Sequence, residues 1–161
     1  MNHRPLGIGV QGLSDTFNIM RYGFDEPESI ELDKKIHATI YYAAMEKSIE
    51  MAKEKGAYSS FKGSPLSRGL FQFDLWKKEP ILETHDMVFD WNKLRKDVIE
   101  HGARHSLLVA LMPTASTSQI LGNNECFEPQ TANIYRRETS SGSFVLVNKH
   151  LVKILSNLLV L

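Results

Sequence analysis

Cysteine is almost absent. Cys126 is the single one in 161 residues, so no internal disulfide can form, and a reducing, cytoplasmic compartment is the expected setting. Charge of one sign is missing too. Lys and Arg number 19, as do Asp and Glu, which leaves no electrostatic footprint for nucleic acid or an anionic membrane, and neither partner is expected. No apolar run is long enough to cross a bilayer: the closing LVKILSNLLVL is about half of the roughly 20 residues a spanning helix needs. No charged-then-apolar leader pattern opens the chain. Repeats, low-complexity tracts and linker-like segments are also missing, so the length fits one compact domain, or one contiguous part of one, at roughly 150 residues per domain. The six histidines include no H-E-x-x-H. Gly102 ends the helix between His101 and His105, so the pair need not share a face, and no bound metal is expected.

What is present centres on Ser106 to Pro129, SLLVALMPTASTSQILGNNECFEP. Leu107 to Met112 is an unbroken apolar run, the pattern of a strand buried on both faces in a parallel sheet. Pro113 has no N–H to donate and stops the ladder. Thr114-Ala115-Ser116-Thr117-Ser118 then offers only small side chains, and Gln119-Ile120-Leu121 restarts an apolar pattern that Gly122 can end. The expectation is a strand, a tight loop and a short helix. Backbone N–H groups and hydroxyls then gather at the positive end of that helix, as an anion site requires. The same residues also fit a plain strand-to-helix loop with a Ser/Thr cap, and no P-loop lysine accompanies them.

Elsewhere the signals are structural. Gly7-Ile8-Gly9-Val10-Gln11-Gly12 spells G-x-G-x-x-G, but Arg4 and Pro5 stand where a strand should precede it and the region around Asp33 reads as helix. Close packing of a glycine-lined backbone is the better reading. Pro27 to Lys55 predicts a helix with Ile36, Ile40, Ala43, Ala44 and Met51 on one face, stopped at Gly56. Its Tyr41-Tyr42 pair reads as core packing. Residues 57 to 86 are loop-rich and aromatic, fit to wrap a core or to present a contact surface. Asp90 is placed to cap a helix carrying Trp91, Leu94 and Val98, with Gly102 ending it. A hairpin is expected around Ser140-Ser141-Gly142, and Asn148 is placed to cap a final helix. Cys126, between Glu125 and Glu128 in a turn closed by Pro129, reads as a small buried apolar residue.

Four stretches carry a resemblance: RPLGIGVQGL, GSPLSRGLFQFDLW, MPTASTSQILGNNECFEP and NIYRRETSSGSFVLVNKHL. With Trp91, Leu94, Gly102, Arg104, His105 and Ser106 at their spacing, residues 3 to 153 resemble the large (α) chain of class I ribonucleoside-diphosphate reductase. Ala103 stands where that family usually has a branched aliphatic residue, and Ile154 to Leu161 does not resemble the family's continuation.

The resemblance implies an α/β fold, a partial segment of a ten-stranded α/β barrel, with residues 1 to 161 as one incomplete piece of the barrel domain. It implies an oxidoreductase that converts ribonucleoside diphosphates to deoxyribonucleoside diphosphates for DNA replication, with a cysteine radical removing hydrogen from the ribose. It places the substrate diphosphate on Thr114, Ala115, Ser116 and Thr117. No catalytic residue is expected here, since Cys126 matches neither the radical cysteine nor the redox pairs. The segment is therefore expected to be inactive alone and to bind no cofactor. In the family a metal-containing small subunit supplies the radical, a thiol reductant supplies electrons, and ATP and deoxynucleotide effectors bind elsewhere. A second large chain completes the assembly. The alternative is a noncatalytic phosphate-binding or interaction module that arose by truncation.

Overall fold

The structure, a computed structural model, describes residues 2–159. Two compact units form. One comprises the residues up to Gly9 together with Ile30–Met112, the other Val10–Ser29 together with the residues from Pro113 on. Helix α1 (Leu13–Met20) belongs to the second unit. Helix α2 (Pro27–Lys55) has its first three residues there and the rest in the first unit, which also holds a 3-10 turn (Leu66–Arg68), α3 (Gln72–Leu75) and α4 (Trp91–His101). The second unit continues with α5 (Ala115–Leu121), β1 (Ile134–Thr139), β2 (Gly142–Val147) and α6 (Lys149–Leu159).

The first unit is built on an aromatic core. Tyr42, Met45, Ile49 and Ala52 line one stripe of α2 at helical spacing and are buried. The expected face needs correction: Ala43 is exposed and Ile36, Ile40 and Met51 are only half-buried. Helix α2 has little amphipathic bias of its own, so the loop that wraps it, not its periodicity, selects the covered arc. That loop brings Tyr58, Phe71 and Phe89 onto the stripe, and α4 adds Trp91, Leu94 and Val98. The Trp91 ring meets Tyr42 at 5.0 Å and Phe73 at 4.9 Å, both edge-on, while its indole N–H donates to the Ile81 carbonyl at 2.7 Å. The aromatic loop thus wraps a core, although Trp76 remains 67% exposed. Tyr42 is core as expected, and Tyr41 packs against that core with its hydroxyl accepting from the Gln72 N–H at 3.3 Å.

Helix α4 begins and ends where its sequence indicates. The Asp90 carboxylate accepts from the Lys93 N–H at 2.8 Å, and Gly102 closes the helix at φ 75°. Beyond it, Leu107 to Met112 departs from expectation. Its parallel pairing is one bridge, Ile8 to Val109, with Ile8 N–H donating to the Leu108 carbonyl at 2.8 Å and Ala110 N–H to the Ile8 carbonyl at 3.0 Å. Leu108 is buried, but Leu107 is 65% and Leu111 45% exposed. An apolar run signals burial on two faces only where layers cover both. Here covering is one-sided, so the two-face strand is corrected to a single bridged, extended segment. The bridge explains the glycines facing it: a Cβ at Gly9 would collide with the Ala110 carbonyl oxygen.

Among the described residues of the second unit, Leu13, Phe17 and Cys126 are the buried apolar side chains, with Phe17 edge-on to Phe24 at 5.7 Å. Strands β1 and β2 pair antiparallel from Ile134 with Val147 to Thr139 with Gly142, joined through Ser140 and Ser141 as expected. Among the described residues this hairpin is the sheet, and the parallel sheet expected from residues 107 to 112 is not formed. Asn148 Oδ1 accepts from the His150 and Leu151 N–H groups at 3.0 and 3.2 Å and starts α6, also as expected. Of the dissimilar end, Val160 and Leu161 lie outside the described residues. No helix among the described residues is long and apolar enough to cross a membrane.

Candidate functional site

Helix α5 starts at Ala115, four residues before the sequence indicates, so Ala115 to Ser118 form its first turn and not a loop. Ser and Thr are weak helix formers, which hides such a turn from a propensity reading. The start is set by Thr114, which adopts φ 54° and ψ 23°, a left-handed conformation unusual for a β-branched residue. Two contacts hold it. Thr114 Oγ1 accepts from the Cys126 N–H at 2.8 Å, and its carbonyl accepts from the Ser118 N–H at 2.9 Å. Ser118 is buried, while Ala115, Ser116 and Thr117 are exposed. The first N–H groups of a helix have no partner inside it, so this turn presents free donors and two hydroxyls at the positive end of the helix dipole.

The Thr117 hydroxyl lies 2.9 Å from Gln11 Oε1 and 3.2 Å from the Thr114 carbonyl oxygen. Gln11 belongs to the glycine motif, whose sequence suggests packing alone. It is a side chain that sequence reasoning missed, and only contact with Thr117 reveals it.

Behind the turn, Gly122 caps α5 at φ 71°, and Asn124 N–H donates to Asp15 Oδ2 at 2.6 Å. Asp15 is buried and also pairs with His150 Nε2 at 2.6 Å and Lys149 Nζ at 3.3 Å. The ammonium of Lys149 donates as well to the Gly122 carbonyl. Asp15 therefore ties α1, the exit of α5 and α6 to one carboxylate, another feature the sequence did not disclose.

Cys126 is buried at φ 42° and free, the small packed residue expected. Glu125 and Glu128 do not converge on it as a reactive pair. The Glu128 N–H closes a turn on the Glu125 carbonyl, and the Glu125 carboxylate faces Arg137 at 3.9 Å. Ser48 Oγ lies 3.2 Å from His105 Nδ1, and burial, with Arg104 and Arg4 near, keeps the ring toward its neutral form. No group of three or more His, Cys, Asp or Glu side chains is arranged to hold a metal among the described residues. The first unit carries an open depression of about 540 Å³ beside Phe73, Lys77, Leu82, Trp91 and Arg95. Arg95 is already taken there by Asp74 at 2.7 Å, so the depression favours no one ligand charge.

Comparison with known proteins agrees with the sequence resemblance. Residues 1–160 match the family model described as ribonucleotide reductase, barrel domain. The chain is 53% identical over 94% of its length to a ribonucleoside-diphosphate reductase large subunit of Plasmodium falciparum. Identity is 51% over 98% for large chain 2 of Saccharomyces cerevisiae, and 54% over 95% for the large subunit of Caenorhabditis elegans. The chain spans 18%, 18% and 19% of the length of these relatives. With the family model covering residues 1–160 and these relatives about half identical over nearly the whole chain, the chain belongs to the ribonucleotide reductase large-subunit family and carries barrel-domain sequence.

Proposed function

We propose that this chain is a segment of a ribonucleoside-diphosphate reductase large subunit and that Thr114, Ala115, Ser116 and Thr117 hold the substrate's diphosphate. The observation that carries this reading is the exposed first turn of α5, launched from a left-handed Thr114. A diphosphate needs several short-range donors without bulk around them, and three consecutive exposed residues with small side chains supply that. On this reading the residues form one part of the family's ten-stranded barrel, with further strands supplied by longer chain. The segment has no activity alone: radical chemistry at ribose with thiol reduction needs several cysteines, and Cys126 is buried and single. In the complete enzyme the partners are a ribonucleoside diphosphate, the radical-supplying small subunit and a second large chain.

The test is a graft in which residues 3–153 replace the matching segment of the full-length Saccharomyces relative. Ser116→Leu is exposed and should fold, but its side chain would cover the N–H donors of the turn. The KM for a ribonucleoside diphosphate should rise roughly tenfold or more, as expected when hydrogen bonds to a charged group are lost. Unchanged KM and kcat would remove the site from this turn.

A further inference from the structure

We infer that the guanidinium of Arg4 is a binding site for a carboxylate group. Every residue of this site lies in the first unit, and the inference stands apart from the diphosphate reading. Arg4 Nη1 is buried, and among the described residues no acceptor reaches it. Buried donors without a partner are rare in folded chains, and an arginine cannot relieve the mismatch by losing its proton. Arg95, Arg136 and Arg137 each face a carboxylate, whereas Arg4 has none among the described residues. A sheltered cation without a counter-charge calls for an anion.

The backbone fixes where that cation stands. Ser106 N–H donates to the His3 carbonyl at 3.0 Å and Leu6 N–H to the Leu107 carbonyl at 2.9 Å, so Arg4 is pinned from both sides against residues 105 to 107. Its neighbours narrow the ligand. Arg104 Nη1 donates to the Lys55 and Gly56 carbonyls at 2.7 and 3.1 Å, so that guanidinium is engaged at the end of α2. His105, sheltered and close to both arginines, stays toward its neutral form and adds no further positive charge. One uncommitted fork with one charge matches a carboxylate, which is flat, singly charged and offers two oxygens to two parallel N–H groups. A phosphate has more oxygens and more charge than a lone guanidinium can meet. Arg4 is half-buried, so the open part of its side chain gives the carboxylate access.

Two sources can supply that group, an Asp or Glu side chain elsewhere in a longer chain or a free organic acid, and acetate is the probe for both. Thermal melting of the 161-residue chain at pH 7 compares sodium acetate with sodium chloride and sodium phosphate at equal ionic strength. The variants are Arg4→Met, which keeps the apolar stem, and Arg4→Lys, which keeps the charge without the fork. Acetate at several times its dissociation constant should raise the parent midpoint by about 2–4 °C beyond its effect on Arg4→Met. Arg4→Lys should retain roughly half of that shift or less. Saturation transfer from the protein to the acetate methyl protons reads the same binding without melting, which keeps the comparison decisive where a variant melts early. The graft of residues 3–153 identifies the source. A carboxylate within the longer chain removes the acetate shift there while Arg4→Met lowers the midpoint, and a free acid leaves the shift as it is in the 161-residue chain. An equal acetate shift in the parent and Arg4→Met, no shift beyond that of chloride, or an Arg4-dependent shift larger with phosphate than with acetate would overturn the inference. None of these outcomes touches the KM of the Ser116→Leu graft, on which the diphosphate reading is tested separately.

Discussion

At Asp15 burial alone would push the carboxyl toward its neutral form, but the Asn124 N–H, the His150 ring and the Lys149 ammonium outweigh burial and hold it below the ordinary carboxylate range. A carboxylate whose folded pKa is depressed stabilises the fold fully above its unfolded value, about 3.9, and that contribution is lost as pH falls through the folded value. Stability of the second unit should therefore decline on acidification below about pH 4, and Asp15→Asn should flatten that decline. At neutral pH Asp15→Ala should cost about 2 kcal/mol, since it leaves the part-buried Asn124 N–H without its acceptor and removes the partner of the His150 ring and the Lys149 ammonium. Thermal melting between about pH 3 and pH 7, comparing both variants with the parent, measures this, and parallel pH profiles for the parent and the Asp15→Asn variant would refute it. Neither Asp15 nor Gln11 was legible in the sequence. Their partners lie 109, 135 and 106 residues away, and no local pattern encodes a hydrogen bond over that span.

Elements with local signals were legible, and those stabilised from afar were not. Helix α4 shows the first kind: a capping Asp90, apolar Trp91, Leu94 and Val98 on one face, and Gly102 at the stop all lie within the stretch they shape. Asp90→Ala should lower stability by about 1 kcal/mol and fray the first turn of α4, with hydrogen exchange quickening at Lys93, whose N–H the cap receives. Unaltered exchange at Lys93 would show that the aromatic packing of Trp91 suffices without the cap. The hairpin and α6 were legible for the same reason, through Ser140, Ser141, Gly142 and Asn148. Helix α1 was not. It opens on Gly12 without a side-chain cap, closes at Arg21 with φ 61°, and its Leu13 N–H is taken by the Cys126 carbonyl at 3.4 Å. The run from Leu107 to Met112 misled in the opposite direction, because an apolar run states how much burial a strand needs and not which layers are present to provide it.

At the scale of the molecule the two units differ in how much core they own. The first closes on an aromatic cluster, while the second buries few apolar side chains and exposes Ile134, Val145 and Val147 on its hairpin at 68%, 72% and 51%, with Leu155 and Leu158 of α6 at 47% and 61%. A two-stranded hairpin is marginally stable at best by itself, and its open edges and apolar side chains template further pairing. The isolated chain should therefore self-associate at micromolar concentration. Sedimentation velocity decides this, and a monodisperse monomer with one sharp melting transition would mark it as a self-sufficient module. The bridge between Ile8 and Val109 has a consequence for how the chain is born. It joins positions roughly a hundred residues apart, and at a synthesis rate of about 5–20 residues per second Ile8 waits on the order of 5–20 s before Val109 exists. During that interval α2 and the aromatic loop can condense, while the glycine stretch that leads into Gln11 has no neighbour to pack against. The first unit is thus completed last at its own beginning, and the segment that reaches the first turn of α5 is among the last to find its place.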